Sequence, residues 1–169
     1  MGHRAHHRLS PRHLSAAVLT VSDTRTDESD RSGRLIRARL ERAGHRVAET
    51  LIVPDEPRRI RSVVGVWLRR SDLDALILTG GTGVSPRDRT IEAVERLLDK
   101  RLEGFGELFR YLSYGQVGSA AFLSRAMAGV AGGKALFSLP GSEKAVALAM
   151  DRLILPELPH LVQQLRKRE

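Results

Sequence analysis

A doubly wound α/β fold with a parallel sheet is the class this sequence predicts, and three observations predict it. Short continuous apolar runs alternate with helical periodicities in the order βαβαβ across residues 16–83, an order that places strands parallel with right-handed crossovers between them. Turn and breaker residues punctuate nearly every run. The third run empties into Thr79-Gly80-Gly81-Thr82-Gly83, at the carboxyl edge where open α/β sheets bind ligands.

The elements follow in order. Ala16 to Val21 is an apolar run that reads as a buried strand and ends in Ser22-Asp23. Residues 24–32 are polar and turn-like. Leu35, Ile36, Leu40 and Ala43 then recur at helical spacing, and Gly44 stops that helix. Val47 to Val53 is the second strand, broken by Pro54. Ile60, Val63, Val64 and Trp67 mark a second helix with Pro57 near its first turn, and Trp67 reads as core. Asp74 to Leu78 is the third strand. In the second half, Thr90 to Leu98, Gly104 to Tyr114 and Ser119 to Met127 read as helices. Ala128 to Gly133 is small and Gly-rich, fit for part of a hairpin. Lys134 to Leu139 is a strand cut by Pro140-Gly141. Ser142 can cap a helix carrying Val146, Leu148 and Leu153, and Pro156 to Arg168 forms a last amphipathic helix.

Composition narrows the function. The 169 residues fit one domain, expected over 14–169, preceded by a flexible basic His-rich tail over 1–13 that holds His3, His6, His7 and His13. With no cysteine, disulfides, thiolate nucleophiles and Cys-based zinc sites are excluded. No apolar run is long enough to span a membrane, and the start lacks the apolar core of an export signal, so a cytoplasmic location is expected. The formal charge of +8 includes Arg4, Arg8 and Arg12 of the tail. No basic run is interleaved with aromatics as single-strand stacking requires, whereas attraction of anionic metabolites accounts for the remaining charge. No nucleic-acid or membrane partner is expected.

The chemistry concentrates at loop positions. Three glycines after a buried strand let backbone N–H groups approach an anion closely; a tight strand-to-helix turn is the plainer reading of the same residues, although one glycine would suffice for it. No Gly-Lys-Ser/Thr follows, and Pro86 stands where a dinucleotide fingerprint needs its third glycine. Ser85-Pro86-Arg87-Asp88 resembles a capping box with Pro at the first helical position, and Asp55 in Val53-Pro54-Asp55-Glu56 can cap the helix after it. Alternatively the two aspartates, both at the carboxyl edge, serve a divalent ion and phosphates. Gly104 and Gly106 read as helix-start flexibility, Lys144 as a solvated lysine, and His160 as a packed or surface histidine.

Taken in order, Thr20-Val21-Ser22-Asp23-Thr24-Arg25, Asp30 with Ser32-Gly33, Val53 to Glu56, Thr79 to Gly83, Ser85 with Asp88, Gly104 to Glu107, Leu123-Ser124-Arg125 and Leu139 to Ser142 resemble the MoaB/MogA family of molybdenum cofactor biosynthesis proteins. Phe109 to Tyr114 and Ala126 to Gly129 resemble its MoaB branch. The resemblance implies a three-layer α/β/α fold with a mostly parallel central sheet, assembled as a homotrimer or hexamer. It implies binding of molybdopterin and adenylylation of its terminal phosphate from ATP with Mg²⁺, releasing pyrophosphate, for later use by a molybdate-inserting partner protein. By carry-over, Asp55 and Asp88 handle Mg²⁺ and the nucleotide phosphates. Gly80, Gly81, Thr82 and Gly83, with Thr79, Ser22, Asp23 and Ser85, cradle the pterin phosphate or adenylate, and Glu107, Pro140, Gly141 and Ser142 line the pocket. A non-catalytic pterin- or nucleotide-binding scaffold in the same pathway is the alternative.

Overall fold

The computed structural model describes residues 11 and 13–167; the expected tail therefore lies outside the described residues except for Pro11 and His13. Six strands form one sheet in the order β2-β1-β3-β6-β5-β4. Strands β1 (Ser15–Val21), β2 (Arg46–Val53), β3 (Ala75–Thr79) and β6 (Lys134–Leu139) run parallel. The short β4 (Lys100–Arg101) and β5 (Met127–Ala131) complete the sheet through antiparallel pairings, β4 with β5 and β5 with β6. Helices α1 (Arg31–Arg42), α2 (Pro57–Leu68), α3 (Thr90–Val94), α4 (Glu103–Val117), α5 (Glu143–Ala149) and α6 (Leu155–Leu165) cover both faces.

Strands β1, β3, β5 and β6 are buried on both faces and each contributes to two cores, whereas the edge strands β2 and β4 hold no buried residue. Val18, Ile77 and Phe137 meet α1, α4, α5 and α6 through Ile36, Leu40, Phe109, Val146 and Leu158. Leu19, Leu76 and Leu136 meet α2 and α3 through Ile60, Val64, Trp67 and Ile91. Each fully buried aliphatic side chain stabilises the fold by roughly 1.5–3 kcal/mol, and two cores sharing one sheet give the three layers expected. Trp67 is buried as predicted, and its indole N–H donates to Glu49 Oε2 at 3.1 Å.

Local signals set most boundaries. Asp30 caps α1 by accepting from the Gly33 N–H at 2.9 Å and from Thr20 Oγ1 at 2.6 Å. Gly44 ends that helix at φ 84°. Pro57 opens α2, and Ser142 caps α5 by accepting from the Ala145 N–H at 3.2 Å.

Four expectations need correction. Residues 119–127 are not an α-helix. Gly118, at φ 61°, ends α4, a 3₁₀ stretch runs through Gly118–Leu123, and Met127 already belongs to β5. Residues 85–88 form a turn and not the first turn of a helix, since α3 begins only at Thr90. Asp55 does not cap α2, whose N-terminus has no side-chain cap. The last helix spans Leu155–Leu165 and continues from α5 through a wide π turn at Met150–Ile154. The hairpin expected near residues 128–133 is present: β5 turns into β6 through Gly132 and Gly133, both at positive φ.

Register brings the loops together. Val21 pairs with Val53, Thr20 with Thr79, and Thr79 with Leu139. The segments after β1, β2, β3 and β6 thus emerge side by side at one carboxyl edge.

Candidate functional site

The glycine loop is threaded tightly between its neighbours. Gly80 has φ 98°, its N–H donates to the Leu139 carbonyl at 3.0 Å, and a Cβ there would overlap the Val21 carbonyl oxygen. Gly81 has φ 63°, and a Cβ would overlap both Thr90 Oγ1 and Asp55 Oδ2. A Cβ on Gly83 would stand 2.7 Å from Asp88 Oδ2. Packing alone therefore accounts for all three glycines, which removes the argument that they exceed what a turn needs. The same packing presses two carboxylates against the loop. Gly81, Thr82 and Gly83 donate no backbone hydrogen bond among the described residues.

Asp55 is 8% exposed. Its Oδ1 accepts from the Arg89 N–H at 3.2 Å, so this side chain joins the loop after β2 to the start of α3. Burial raises its pKa above the ordinary carboxylate range. The Arg89 N–H opposes that shift, the Asp88 and Asp23 carboxylates reinforce it, and Arg87 opposes it. Asp88, half-buried, accepts from the Ser85 N–H at 2.9 Å through Oδ2, while its own N–H donates to the Ser85 carbonyl at 3.0 Å. The two aspartates predicted to act together thus stand on one side of the molecule, along one loop. The neighbouring Thr90 hydroxyl is fully buried with no protein hydrogen-bond partner.

The described residues hold no cluster of three or more His, Cys, Asp or Glu side chains able to hold a metal ion by themselves. Two carboxylates, one of them buried and repelled by its neighbour, fit Mg²⁺, which takes one or two protein carboxylates and completes its shell with substrate phosphates and water.

The remaining predicted residues separate into three groups. Thr79 and Thr82 are buried, and Thr79 Oγ1 donates to the Pro140 carbonyl at 3.0 Å. Gly141 is held from the other side by Ser32, whose hydroxyl donates to its carbonyl at 2.6 Å. Ser22 Oγ accepts from the Thr24 and Arg25 N–H groups, each at 3.2 Å, and shapes the turn after β1. Asp23 has both oxygens engaged, Oδ1 by the Asp55 N–H at 3.1 Å and Oδ2 by Arg87 Nη2 at 2.5 Å. The Arg87 hydrogen bond, then the Asp55 N–H, hold its pKa below the usual carboxylate range. Pro140 and Ser142 line a cleft of about 410 Å³ with Phe109, Ser113 and Lys144, whereas Ser22, Asp23 and Pro54 line an open cleft of about 450 Å³ on the β1–β2 side. Glu107 is the exception. It is exposed on α4 and lines neither cleft.

Arg125 is a residue whose role sequence reasoning missed. Its Nε donates to the Gly83 carbonyl at 2.9 Å and the Thr82 carbonyl at 3.3 Å, its Nη2 to the Asp88 carbonyl at 2.9 Å, and its Nη1 pairs with Glu92 at 2.5 Å. One guanidinium clamps the segment that presents Asp88. Its appearance in the family-like Leu123-Ser124-Arg125 was the one available signal.

Backbone N–H groups of the glycine loop and two carboxylates thus meet at one edge of the sheet. Residues 17–160 match the family model described as "Probable molybdopterin binding domain". Molybdenum cofactor biosynthesis protein B of Halalkalibacterium halodurans is 51% identical over 163 residues, covering 96% of each chain. A crystal structure of a molybdenum cofactor biosynthesis protein B superposes with a TM-score of 0.91 at 48% identity, covering 94% of this chain and 99% of that one. The tungsten cofactor synthesizing protein MoaB from Pyrococcus furiosus gives 0.84 at 36% identity, covering 94% and 100%. With its fold, its ordered loops and these similarities in agreement, the chain belongs to the MoaB branch of the molybdopterin-binding family and to molybdenum cofactor biosynthesis.

Proposed function

We propose that this chain is a molybdopterin adenylyltransferase. The terminal phosphate of molybdopterin attacks the α-phosphorus of ATP, a new phosphoanhydride bond forms to AMP, and the bond to the β-phosphate breaks to release pyrophosphate. The observation that carries this reading is the carboxylate pair. Asp55 and Asp88 flank the glycine loop, and neither accepts a hydrogen bond from a cationic side chain among the described residues. A site that keeps two acids together with no protein cation bonded to either is suited to a cation that arrives with a polyphosphate.

Each residue then has a task. Asp55 and Asp88 hold Mg²⁺, which when bound offsets the charge of the two phosphorylated substrates. The N–H groups of Gly81, Thr82 and Gly83 receive phosphate oxygens. Thr79, Ser32 and Arg125 act as positioning residues, fixing the loops so that acceptor phosphate and α-phosphate meet in line. The two clefts on either side of the loop suit two substrates. No side-chain nucleophile is required, because the acceptor phosphate itself attacks.

A homotrimer or hexamer acting in the cytoplasm, handing its product to a molybdate-inserting protein, completes the proposal. Among the described residues, six of the nine exposed large apolar side chains lie between residues 108 and 123, on α4 and the 3₁₀ stretch after it, a concentration that suits an interface between copies. The test is incubation with molybdopterin, ATP and Mg²⁺ followed by mass spectrometry. The expected result is adenylylated molybdopterin with stoichiometric pyrophosphate. Tight binding of both substrates with no product would establish a scaffold instead.

A further inference from the structure

Arg87 is a cation that pairs with a carboxylate on the acidic side of the site. Its guanidinium donates to Asp23 Oδ2 at 2.5 Å, and the carboxylates of Asp55 and Glu56 lie within electrostatic range of it. The pair is open to solvent, with the Arg87 side chain 66% and the Asp23 side chain 40% exposed. An ion pair that wet contributes little stability, so a strut is a poor account of it. A fixed frame surrounds the movable side chain. Next to Arg87, the Asp88 carbonyl is gripped by Arg125 at 2.9 Å, and the Asp88 carboxylate holds the Ser85 N–H at 2.9 Å. On the other side, the Asp55 N–H holds Asp23 by its other oxygen. The guanidinium can therefore leave Asp23 without disturbing either loop.

From this arrangement we infer that Arg87 is a polyphosphate-binding residue parked on Asp23, which releases it to the nucleotide when Mg-ATP enters the site. A guanidinium makes paired hydrogen bonds to phosphate oxygens as readily as to a carboxylate. A triphosphate carries several charges where Asp23 offers one, so the exchange favours the nucleotide. Asp23 then competes with the substrate for Arg87, and weakening that competitor strengthens nucleotide binding. This inference rests on the adenylyl-transfer reading, since it presupposes a nucleotide beside the loop.

The sign of that competition is the test. Binding of ATP in the presence of Mg²⁺ is measured by calorimetry on the full chain. Arg87→Ala is expected to weaken affinity roughly tenfold or more, the loss of charge-assisted hydrogen bonds, and Arg87→Lys to recover part of it. Asp23→Asn keeps a carbonyl oxygen for the Asp55 N–H while removing the charge that holds Arg87, and is expected to tighten binding severalfold. Melting curves of the three variants show that each is folded. If Asp23→Asn weakens binding or leaves it unchanged, or if Arg87→Ala leaves it unchanged, the parked-cation inference is overturned while the proposed function stands. Failure of the unaltered chain to bind Mg-ATP would overturn both.

Discussion

Asp55 and Asp88 differ in what their environments demand of them, and the difference is testable. Asp88 is half-buried and hydrogen-bonded within its own turn. Asp88→Asn preserves an oxygen for the Ser85 N–H while halving the charge available to a cation. Pyrophosphate release is expected to fall by about 100-fold or more, the scale of losing one electrostatic group at the reacting centre, with molybdopterin binding largely intact by calorimetry. Asp55 is costlier to the fold. Its pKa is raised, burial first and the neighbouring carboxylates next, so its protonated form is the one folding favours. The stability it contributes is complete below the carboxylate range of the unfolded chain and is lost as pH rises through the raised folded value. At pH 7 the ionised group therefore weakens the fold. Asp55→Asn, which retains an acceptor for the Arg89 N–H, is expected to raise the melting temperature at pH 7 while eliminating turnover, with the gain shrinking as pH falls toward 4. A lower melting temperature at pH 7 would show that the carboxylate is satisfied as it stands.

Among elements, the turn from Thr82 to Arg89 owes its shape to one side chain from the far half of the chain. Arg125 serves three carbonyls, its Nε–H shared between Thr82 and Gly83 and its Nη2 donating to Asp88. Arg125→Ala is expected to destabilise the protein by about 2 kcal/mol, because hydrogen bonds to a charged donor are lost and carbonyls are left unpaired. Amide exchange should rise in residues 82–89 but not in β1. This interaction was hidden in the sequence because it runs from a guanidinium to backbone oxygens 37–43 positions away, and backbone oxygens carry no residue signature. The alternating elements of the first half were legible for the opposite reason: β1, β3 and their helices are specified by local periodicity and by Gly44 and Pro57. Strand β5, Met-Ala-Gly-Val-Ala, was legible only as part of a hairpin, with Met127 assigned to the helix expected before it. Its small residues lack both the alternation and the bulk that mark a strand, and antiparallel pairing with β6 settles the conformation. Two-residue β4 is below any periodicity. For Asp55 the edge position was readable, but the partner was not, since the Arg89 N–H lies 34 residues on.

At the scale of the whole molecule, exposed apolar surface is concentrated on one helix and the turn after it. Helix α4 and the 3₁₀ stretch after it leave Tyr111 76% and Phe122 75% exposed, with Leu108, Tyr114, Val117 and Leu123 exposed around them. So much aromatic surface on one side of a small protein marks an interaction face. Within the proposed function, that face is where copies of the chain meet, and large aromatic residues are the usual energetic anchors of such contacts, each contributing about 2 kcal/mol or more when central. The double variant Tyr111→Glu with Phe122→Glu places charge on the patch without touching either core or the carboxylate loop. Sedimentation is expected to show a trimer or hexamer for the unaltered chain and a monomer for the variant, with the melting curve of the monomer still cooperative. If both sediment alike as oligomers, another face joins the copies; if both sediment as monomers, the assembly itself is refuted and the aromatic surface must serve a different partner.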